Sequence, residues 1–291
     1  MVKKYGDLYL QCRKALLQTE DLQTAGLMAR NLVAHYSGKT QEEVLRDRDL
    51  YAGEQTCAAV EDATERLLSG EPLPYVLGEW EFYGLSLYVN RNVLIPRDDT
   101  CAVVGLAIKQ AIFLPSDPRV LDLCTGSGCI GLAIASRIKD ARVTLADISK
   151  EALVVAKKNI ILNKMSGRVS GVQADALGPA PAFLGKFDMI VSNPPYITGP
   201  EMGELPGSVK DFEPYLALYG GRDGLDFYRS IAQNYSKALK PGGFLALEFG
   251  MGQGDDVCRI LTEHGYTILE RTKDFNDRER AVLAQYGRKE D

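Results

Sequence analysis

Asn193-Pro194-Pro195-Tyr196 places a carboxamide, two prolines and a phenol in four consecutive positions, directly after the apolar run 187–192. Proline fixes φ near about −65° and carries no N–H, so the backbone here is stiff and offers only carbonyl acceptors. The Asn193 side chain and the Pro194 carbonyl can then converge on one donor. A planar –NH2 group, with two N–H bonds, is what two fixed acceptors hold. Tyr196 supplies a flat face on which a planar group can rest. An amide or aromatic amine is a feeble nucleophile, and acceptors on its hydrogens draw charge toward nitrogen and align its lone pair. An ordinary Pro-Pro turn is the inert alternative. Position decides against it, because the tetrapeptide follows a hydrophobic strand and lies downstream of a second ligand-type motif.

That motif is Asp122-Leu-Cys-Thr-Gly126-Ser-Gly128-Cys-Ile-Gly131. Its glycines fit G-x-G-x-x-G between a strand and a helix, where the backbone turns sharply and a ligand approaches the helix N-terminus. Asp147 follows Gly128 by 19 residues, where an acidic side chain accepts from ribose hydroxyls. Asp175 ends the next strand and faces the adenine edge, with a solvated loop carboxylate as its bland alternative. A dinucleotide such as NAD and S-adenosylmethionine share this plan, and the Gly-rich turn alone does not choose. Hydride transfer has no use for Asn193–Tyr196, so S-adenosylmethionine is favoured over NAD. No metal is called for. His35 and His264, the two histidines, lie outside both motifs and offer no general base.

Alternating elements must position these residues. Strands are expected at 120–123, 142–146, 167–173, 187–192 and 243–249, with a final pair at 266–271 and 280–285. Helices are expected at 102–111, 130–137, 150–163, 224–239 and 255–264. Continuous apolar strands between amphipathic helices mean a mostly parallel sheet covered on both faces. Asp99 or Thr100 is a plausible N-cap for the helix at 102–111. Ahead of this, the first seventy residues read as short helices, with stripes at Leu8, Cys12, Ala15, Leu16 and at Leu27, Met28, Leu32, Val33. Thr40 with Glu43 forms a capping-box pattern, and a further helix stops at Gly70. From Trp80 the period becomes two, giving a hairpin around Gly84 and Leu85. The domain boundary is placed inside it, near 85–90.

Composition narrows the classes further. The chain has 291 residues, 45% hydrophobic and 25% charged, a globular balance that excludes disordered and coiled-coil chains. With 34 basic and 39 acidic residues the net charge is −5, which argues against a broad nucleic-acid footprint. No apolar run approaches the ~20 residues of a membrane span, and no secretory signal is visible. Six scattered cysteines without a CxxC pair suit reduced thiols in a cytoplasmic protein.

These residues carry a resemblance. The stretch 120–131, Asp147, Asn193–Tyr196 and Pro241-Gly-Gly243 resemble class I S-adenosylmethionine-dependent methyltransferases. Adenine-N6 DNA methyltransferases and protein-glutamine N5-methyltransferases both carry the Asn-Pro-Pro-Tyr tetrapeptide. Pro72-Leu-Pro-Tyr-Val-Leu-Gly78-Glu-Trp-Glu-Phe82-Tyr-Gly84 and Val93-Leu-Ile-Pro96-Arg97 are similar to the glutamine methyltransferases of the HemK/PrmC type, which modify peptide chain release factors. So are Phe212-Glu-Pro214, Gly220-Gly-Arg-Asp-Gly224, Leu247-Glu-Phe-Gly250 and Asp277-Arg-Glu-Arg-Ala-Val.

The resemblance implies an α/β fold: a Rossmann-like, mostly parallel seven-stranded sheet with a small helical N-terminal domain and a linking β-hairpin. Residues 1–85 would recognise substrate, ending in the hairpin at about 80–95, and 86–291 would form the methyltransferase domain. It implies S-adenosylmethionine held by Cys124, Thr125, Gly126, Ser127, Gly128 and Asp147, with Asn193 near the methyl donor. Asp175 and Ala176 complete the expected cofactor set. The implied substrate is the glutamine of a Gly-Gly-Gln loop in a release factor, met by Asn193, Pro194, Pro195 and Tyr196. Arg97 either shapes the substrate mouth or makes an ion pair. The family often has Gly at Cys124, Pro at Asp98, Glu at Cys101 and a bulky residue at Ala176. Cys124 needs only an allowed backbone and is expected to be tolerated, while Ala176 leaves less surface against adenine. Ribosomal-protein glutamine and nucleic-acid adenine are the alternative substrates, the latter disfavoured because the N-terminal helices lack clustered Lys and Arg. A monomer without membrane or stable nucleic-acid partners is expected.

Overall fold

The computed structural model describes residues 2–287. The chain divides into two compact units, one reaching to Gly78 and including 207–212, the other comprising 79–206 and 213 onward. The division falls at Gly78, ahead of the hairpin rather than inside it.

The first unit packs the helices Tyr5–Leu16, Leu22–Ser37, Gln41–Arg46, Glu54–Leu68 and Leu73–Leu77. Leu8, Cys12 and Leu16 supply one buried stripe, and Cys57, Val60, Ala63 and Leu67 another. In the second helix the buried face is Ala25, Ala29, Leu32 and Val33, whereas Leu27 is 51% exposed. Leu32 and Val33 are thus in the core with Met28 packed against it, as expected, and only Leu27 falls outside; Ala25 and Ala29, whose small side chains carry little hydrophobic signal, complete the face. Asp21 caps this helix by accepting from the Gln23 and Thr24 N–H groups. The Thr40–Glu43 capping box is present in full.

The second unit opens with a hairpin, β1 (Glu79–Phe82) and β2 (Leu85–Tyr88). Its turn residues are Tyr83 and Gly84, at φ 53° and 77°, one position earlier than the sequence suggested. Two successive left-handed residues match the twist of the flanking strands. The main sheet contains β3 (Arg119–Leu123), β4 (Arg142–Asp147), β5 (Val169–Gln173), β6 (Phe187–Ser192), β7 (Leu239–Glu248), β8 (Tyr266–Lys273) and β9 (Glu279–Tyr286). Their order is β5-β4-β3-β6-β7-β9-β8. β3 to β7 run parallel, and β9 is antiparallel to both β7 and β8. Neighbouring residues of one strand face opposite layers. Val120, Val143, Met189 and Val191 pack with the helices Cys101–Ala111 and Cys129–Arg137. Leu121, Ile190, Leu245 and Leu247 pack with Asp226–Asn234 and Gly254–Glu263. β7 starts at Leu239 rather than 243: Leu239 pairs with Phe187 and Phe244 with Met189, so Pro241-Gly242-Gly243 lies in a bulge.

The strand order reverses direction between β3 and β6, and such a switch point opens a crevice at the carboxyl ends of the strands. One buried side chain ties that edge together. Asn159, on the helix Lys150–Leu162, donates through Nδ2 to the Tyr88 carbonyl at 2.9 Å and the Ser127 carbonyl at 2.8 Å. Its Oδ1 accepts from the Tyr88 N–H at 2.6 Å. Asn159→Ala strands these groups away from water, and urea titration is expected to read a loss of about 2–4 kcal/mol. A loss under about 0.5 kcal/mol would mean that water replaces the amide.

Candidate active site at the carboxyl edge of the sheet

The loop after β3 is held from below by two carboxylates. Asp122 is fully buried, and its Oδ2 accepts from Thr125 Oγ1 at 2.5 Å and from the Gly131 N–H at 2.8 Å. Burial pushes its pKa up to about 7, while those two bonds pull it down. Asp147, at the end of β4, accepts from the Gly126 N–H and the Ser149 N–H, each at 2.9 Å. Its pKa is also raised, first by burial, against the pull of those backbone donors. Gly131 has no room for a side chain, since a Cβ there would lie 2.3 Å from a Leu145 methyl. This close packing holds the helix Cys129–Arg137 against the sheet. Cys124 differs from expectation. Its φ is 59°, a left-handed conformation that costs a residue with a Cβ about 1–3 kcal/mol. Glycine relieves that cost, which accounts for its frequency at the matching family position. Burial raises the Cys124 thiol well above its usual range, so it stays protonated.

In front of this loop lies a cavity of about 310 Å³, near the lower end for small-molecule sites. Cys124, Gly126, Asp147, Asp175, Ala176, Asn193 and Pro195 line it. Thr125, Ser127, Gly128, Pro194, Tyr196 and Arg97 do not. Thr125 and Ser127 instead hold the loop from behind, through Asp122 and Asn159. Asp175 is exposed; Oδ1 accepts from the Leu177 N–H at 2.8 Å, leaving Oδ2 for another donor. The helix Asp226–Asn234 and the turn after it fix this segment: Ser230 Oγ donates to the Ala176 carbonyl and the Tyr235 hydroxyl to the Asp175 carbonyl. Ile148, Leu177 and Phe227 complete the walls. The sequence reading missed these three, although Ile148 and Leu177, apolar yet about half exposed beside Asp147 and Asp175, carried a signal. Among the described residues no group of three His, Cys, Asp or Glu comes together as metal ligands.

The loop after β6 is rigid for reasons beyond its prolines. Asn193 donates through Nδ2 to Thr100 Oγ1 at 3.2 Å. Thr100 makes no capping bond to its helix. A short 3-10 turn, Asp98–Thr100, has drawn it into helical conformation and freed its hydroxyl. The Tyr196 carbonyl accepts from Gln253 Nε2 at 3.1 Å, and Ile197 pairs with the 218–220 backbone through two bonds of 2.9 Å. Burial raises the Tyr196 hydroxyl to about 12, so it is a neutral phenol. Arg97 forms an ion pair with Glu213, whose side chain is 1% exposed and also accepts from the Ile95 N–H. Burial raises Glu213 and Arg97 opposes the rise. This pair ties the strand-like segment at 95–97 to the start of 213–217, where Pro214, Leu216 and Ala217 reach the cavity.

Gly220 lets the supporting strand lie against the loop. A Cβ there would sit 2.5 Å from Tyr196 Cα and 2.7 Å from the Pro195 carbonyl oxygen. Both obstacles are backbone, so Gly220→Ala is expected to cost about 1–3 kcal/mol in chemical denaturation. Gly167→Ala, where a Cβ meets nothing within 4 Å, serves as the control and should shift stability by less than about 0.5 kcal/mol. Equal effects at the two sites would refute the close-packing account.

Residues 9–78 match the PrmC N-terminal domain family, and residues 107–205 match the Methyltransferase small domain family. A release factor glutamine methyltransferase of Clostridium acetobutylicum is 44% identical over 216 residues, covering 74% of this chain and 75% of that protein. A bifunctional methyltransferase of Rickettsia felis is 34% identical over 291 residues, covering 90% of this chain and 54% of its own length. The chain thus spans about half of that bifunctional relative. A methyltransferase structure from Pyrococcus furiosus superposes with a TM-score of 0.51 at 19% identity, covering 78% of this chain and all (100%) of that one, and so speaks to the fold. On the strength of the N-terminal match and the shared sequence, this chain belongs to the HemK/PrmC family of release factor glutamine methyltransferases.

Proposed function

We propose that this protein transfers a methyl group from S-adenosylmethionine to the side-chain amide nitrogen, N5, of the glutamine in the Gly-Gly-Gln loop of peptide chain release factors. The observation that carries the reading is Asn193 in the wall of the same cavity as Asp147 and Asp175. One cavity then serves an adenosine and a carboxamide together.

The residues present fit the donor. Each Asp147 oxygen accepts one backbone N–H and keeps a second lone pair for a ribose hydroxyl. Asp175 Oδ2 is available to an exocyclic amine. Ile148, Leu177 and Phe227 offer apolar surface where Ala176 is small. When bound, S-adenosylmethionine supplies an electrophilic methyl on a sulfonium. The chain's own contribution is to place the nucleophile. Asn193 Oδ1, in the cavity wall beside Pro195, accepts from the glutamine amide, orients its plane and draws charge toward nitrogen. The helical residues 1–78 with 207–212 are assigned to recognition of the release factor. Six free thiols support a cytoplasmic location. No described helix is long and apolar enough to cross a membrane.

The direct test is incubation of a release factor with enzyme and isotope-labelled S-adenosylmethionine, followed by mass spectrometry of the peptides. The label is expected on the Gly-Gly-Gln glutamine; label elsewhere, or none, removes the assignment. Asn193→Ala is expected to cut turnover by about 10²-fold or more with the dissociation constant of S-adenosylmethionine nearly unchanged. An equal loss in cofactor affinity would assign Asn193 to donor binding instead.

A further inference from the structure

Glu248 ends β7 at 2% exposure, without the backbone N–H partners that serve Asp122 and Asp147. One of its oxygens, Oε2, has no hydrogen-bond partner among the described residues. The polar side chains that face it are Thr100 and Asn193, and the parallel register that pairs Ser192 with Leu247 sets Asn193 next to Glu248 on the neighbouring strand. The nearby cation, Arg280, is committed elsewhere, with Nη2 3.1 Å from both Asp274 and Asp99 and Nη1 on the Phe249 carbonyl. A buried carboxylate is costly unless donors face it, so what these two side chains do for Glu248 is clear. The reverse effect matters more for chemistry.

A carboxamide has one accepting and one donating end, nearly equal in shape, and only its surroundings decide which end faces where. An ionised carboxylate can only accept. It therefore draws the NH2 end of Asn193 toward itself. Thr100 reinforces this choice: its hydroxyl faces Glu248 and is free to turn its proton that way, while its lone pairs accept from Asn193 Nδ2 at 3.2 Å. With Nδ2 committed on that side, Oδ1 is the end left for the cavity. The opposite rotamer would turn two N–H bonds toward an incoming amide NH2, donor against donor. We propose that Glu248, acting with Thr100, is a positioning residue that fixes the flip of the Asn193 carboxamide so that its oxygen receives the substrate amide. This rests on the reading that a carboxamide nitrogen is the methyl acceptor.

The arrangement has a pH dependence. Burial raises Glu248 to about 7, opposed first by the facing Thr100 hydroxyl and then by Arg280 and the Asn193 amide. The titratable and charged groups facing it are Asp99 and Cys101 at the start of the neighbouring helix, Cys129, Tyr196, Tyr228 and Arg280. Burial keeps the thiols and phenols protonated, with Cys129 and Tyr196 both raised to about 12, and Arg280 stays charged. Below about 7 Glu248 takes up a proton and can donate as well as accept, so its hold on the Asn193 NH2 weakens. Above that it is acceptor-only. Turnover is therefore expected to rise with pH through this region.

Steady-state methylation of a release factor, calorimetric binding of S-adenosylmethionine, and NMR of the Asn193 side-chain amide test this together on Glu248→Ala, Glu248→Gln and Thr100→Val. Glu248→Ala is expected to lower kcat by about 10- to 100-fold, the scale of a lost hydrogen bond to a charged group, with cofactor affinity within about twofold. Glu248→Gln, whose carbonyl can still accept from Asn193, is expected to recover most of kcat and to lose the acid limb of the pH profile. Thr100→Val should lower kcat by several-fold, and it keeps the test open if Glu248→Ala fails to fold. The Asn193 amide protons should be protected and shifted in the wild type, in a pH-dependent way that Glu248→Gln abolishes. Unchanged kcat in Glu248→Ala, an acid limb surviving in Glu248→Gln, or amide signals indifferent to both changes would overturn the proposal. Wild-type enzyme that fails to methylate the glutamine while its Asn193 amide still responds to Glu248 would sink the functional reading and leave the positioning intact.

Discussion

Three carboxylates at the ends of parallel strands, Asp122 and Glu248 buried and Asp147 partly so, organise the carboxyl edge of the sheet. Asp122 is the last residue but one of β3, Asp147 closes β4 and Glu248 closes β7. Burial raises the pKa of all three, with Asp122 and Glu248 reaching about 7. Each can stay there only because donors have been drawn to it. Those donors belong to the loops that build the site: Thr125 and Gly131 bond Asp122, and Gly126 and Ser149 bond Asp147, while Thr100 and Asn193 face Glu248. The cost of removing charge from water has been turned into a constraint on loop position.

That constraint makes the site preorganised rather than merely present. The glycine loop is gripped from both neighbouring strands, and Asn159 adds a third hold through the Ser127 carbonyl while fixing the end of the hairpin at Tyr88. On the other side of the switch point the Asn193–Tyr196 loop is pinned by Gln253, by the 218–220 backbone and by the space left at Gly220. Two rigid lips therefore face one cavity. Under the proposed function, such preformed walls would hold donor and acceptor with little reorganisation at the moment of transfer. Local strain sits within this framework, where Cys124 holds a left-handed φ.

Much of the fold could be read directly from the chain. Continuous apolar strands and amphipathic helices announced a parallel sheet, and a period-two stretch announced the hairpin. Errors arose where local signals were weak or misleading. The hairpin turn shifted by one because Tyr83, a bulky residue, adopts a conformation usually reserved for glycine or asparagine. In the second helix Leu27 alone left the expected stripe, and Ala25 and Ala29, too small to signal burial, joined it. The start of β7 was set too late because a bulge carries Pro241-Gly-Gly through the strand, a pattern that by itself reads as a turn.

For the site, the sequence by itself determined the chemical inventory. Spacing from Gly128 to Asp147, and a strand running into Asn193-Pro194-Pro195-Tyr196, name groups that only one kind of pocket would use together. Such motifs are local, and local stereochemistry is written in consecutive residues. Only the tertiary structure decided which of those groups face the cavity and which stand behind it. Asp99 or Thr100 was expected to cap a helix; Thr100 holds the N-cap position, yet its hydroxyl makes no capping bond and meets Asn193 across 93 positions of chain, and Glu248 was one letter of a family motif until folding set it beside Asn193 on the neighbouring strand. Arg97 found Glu213, and Asn159 found Tyr88 and Ser127, by the same means. A buried polar group must find its partner wherever the packed chain supplies one, and that pairing depends on distances in space that no spacing along the sequence encodes.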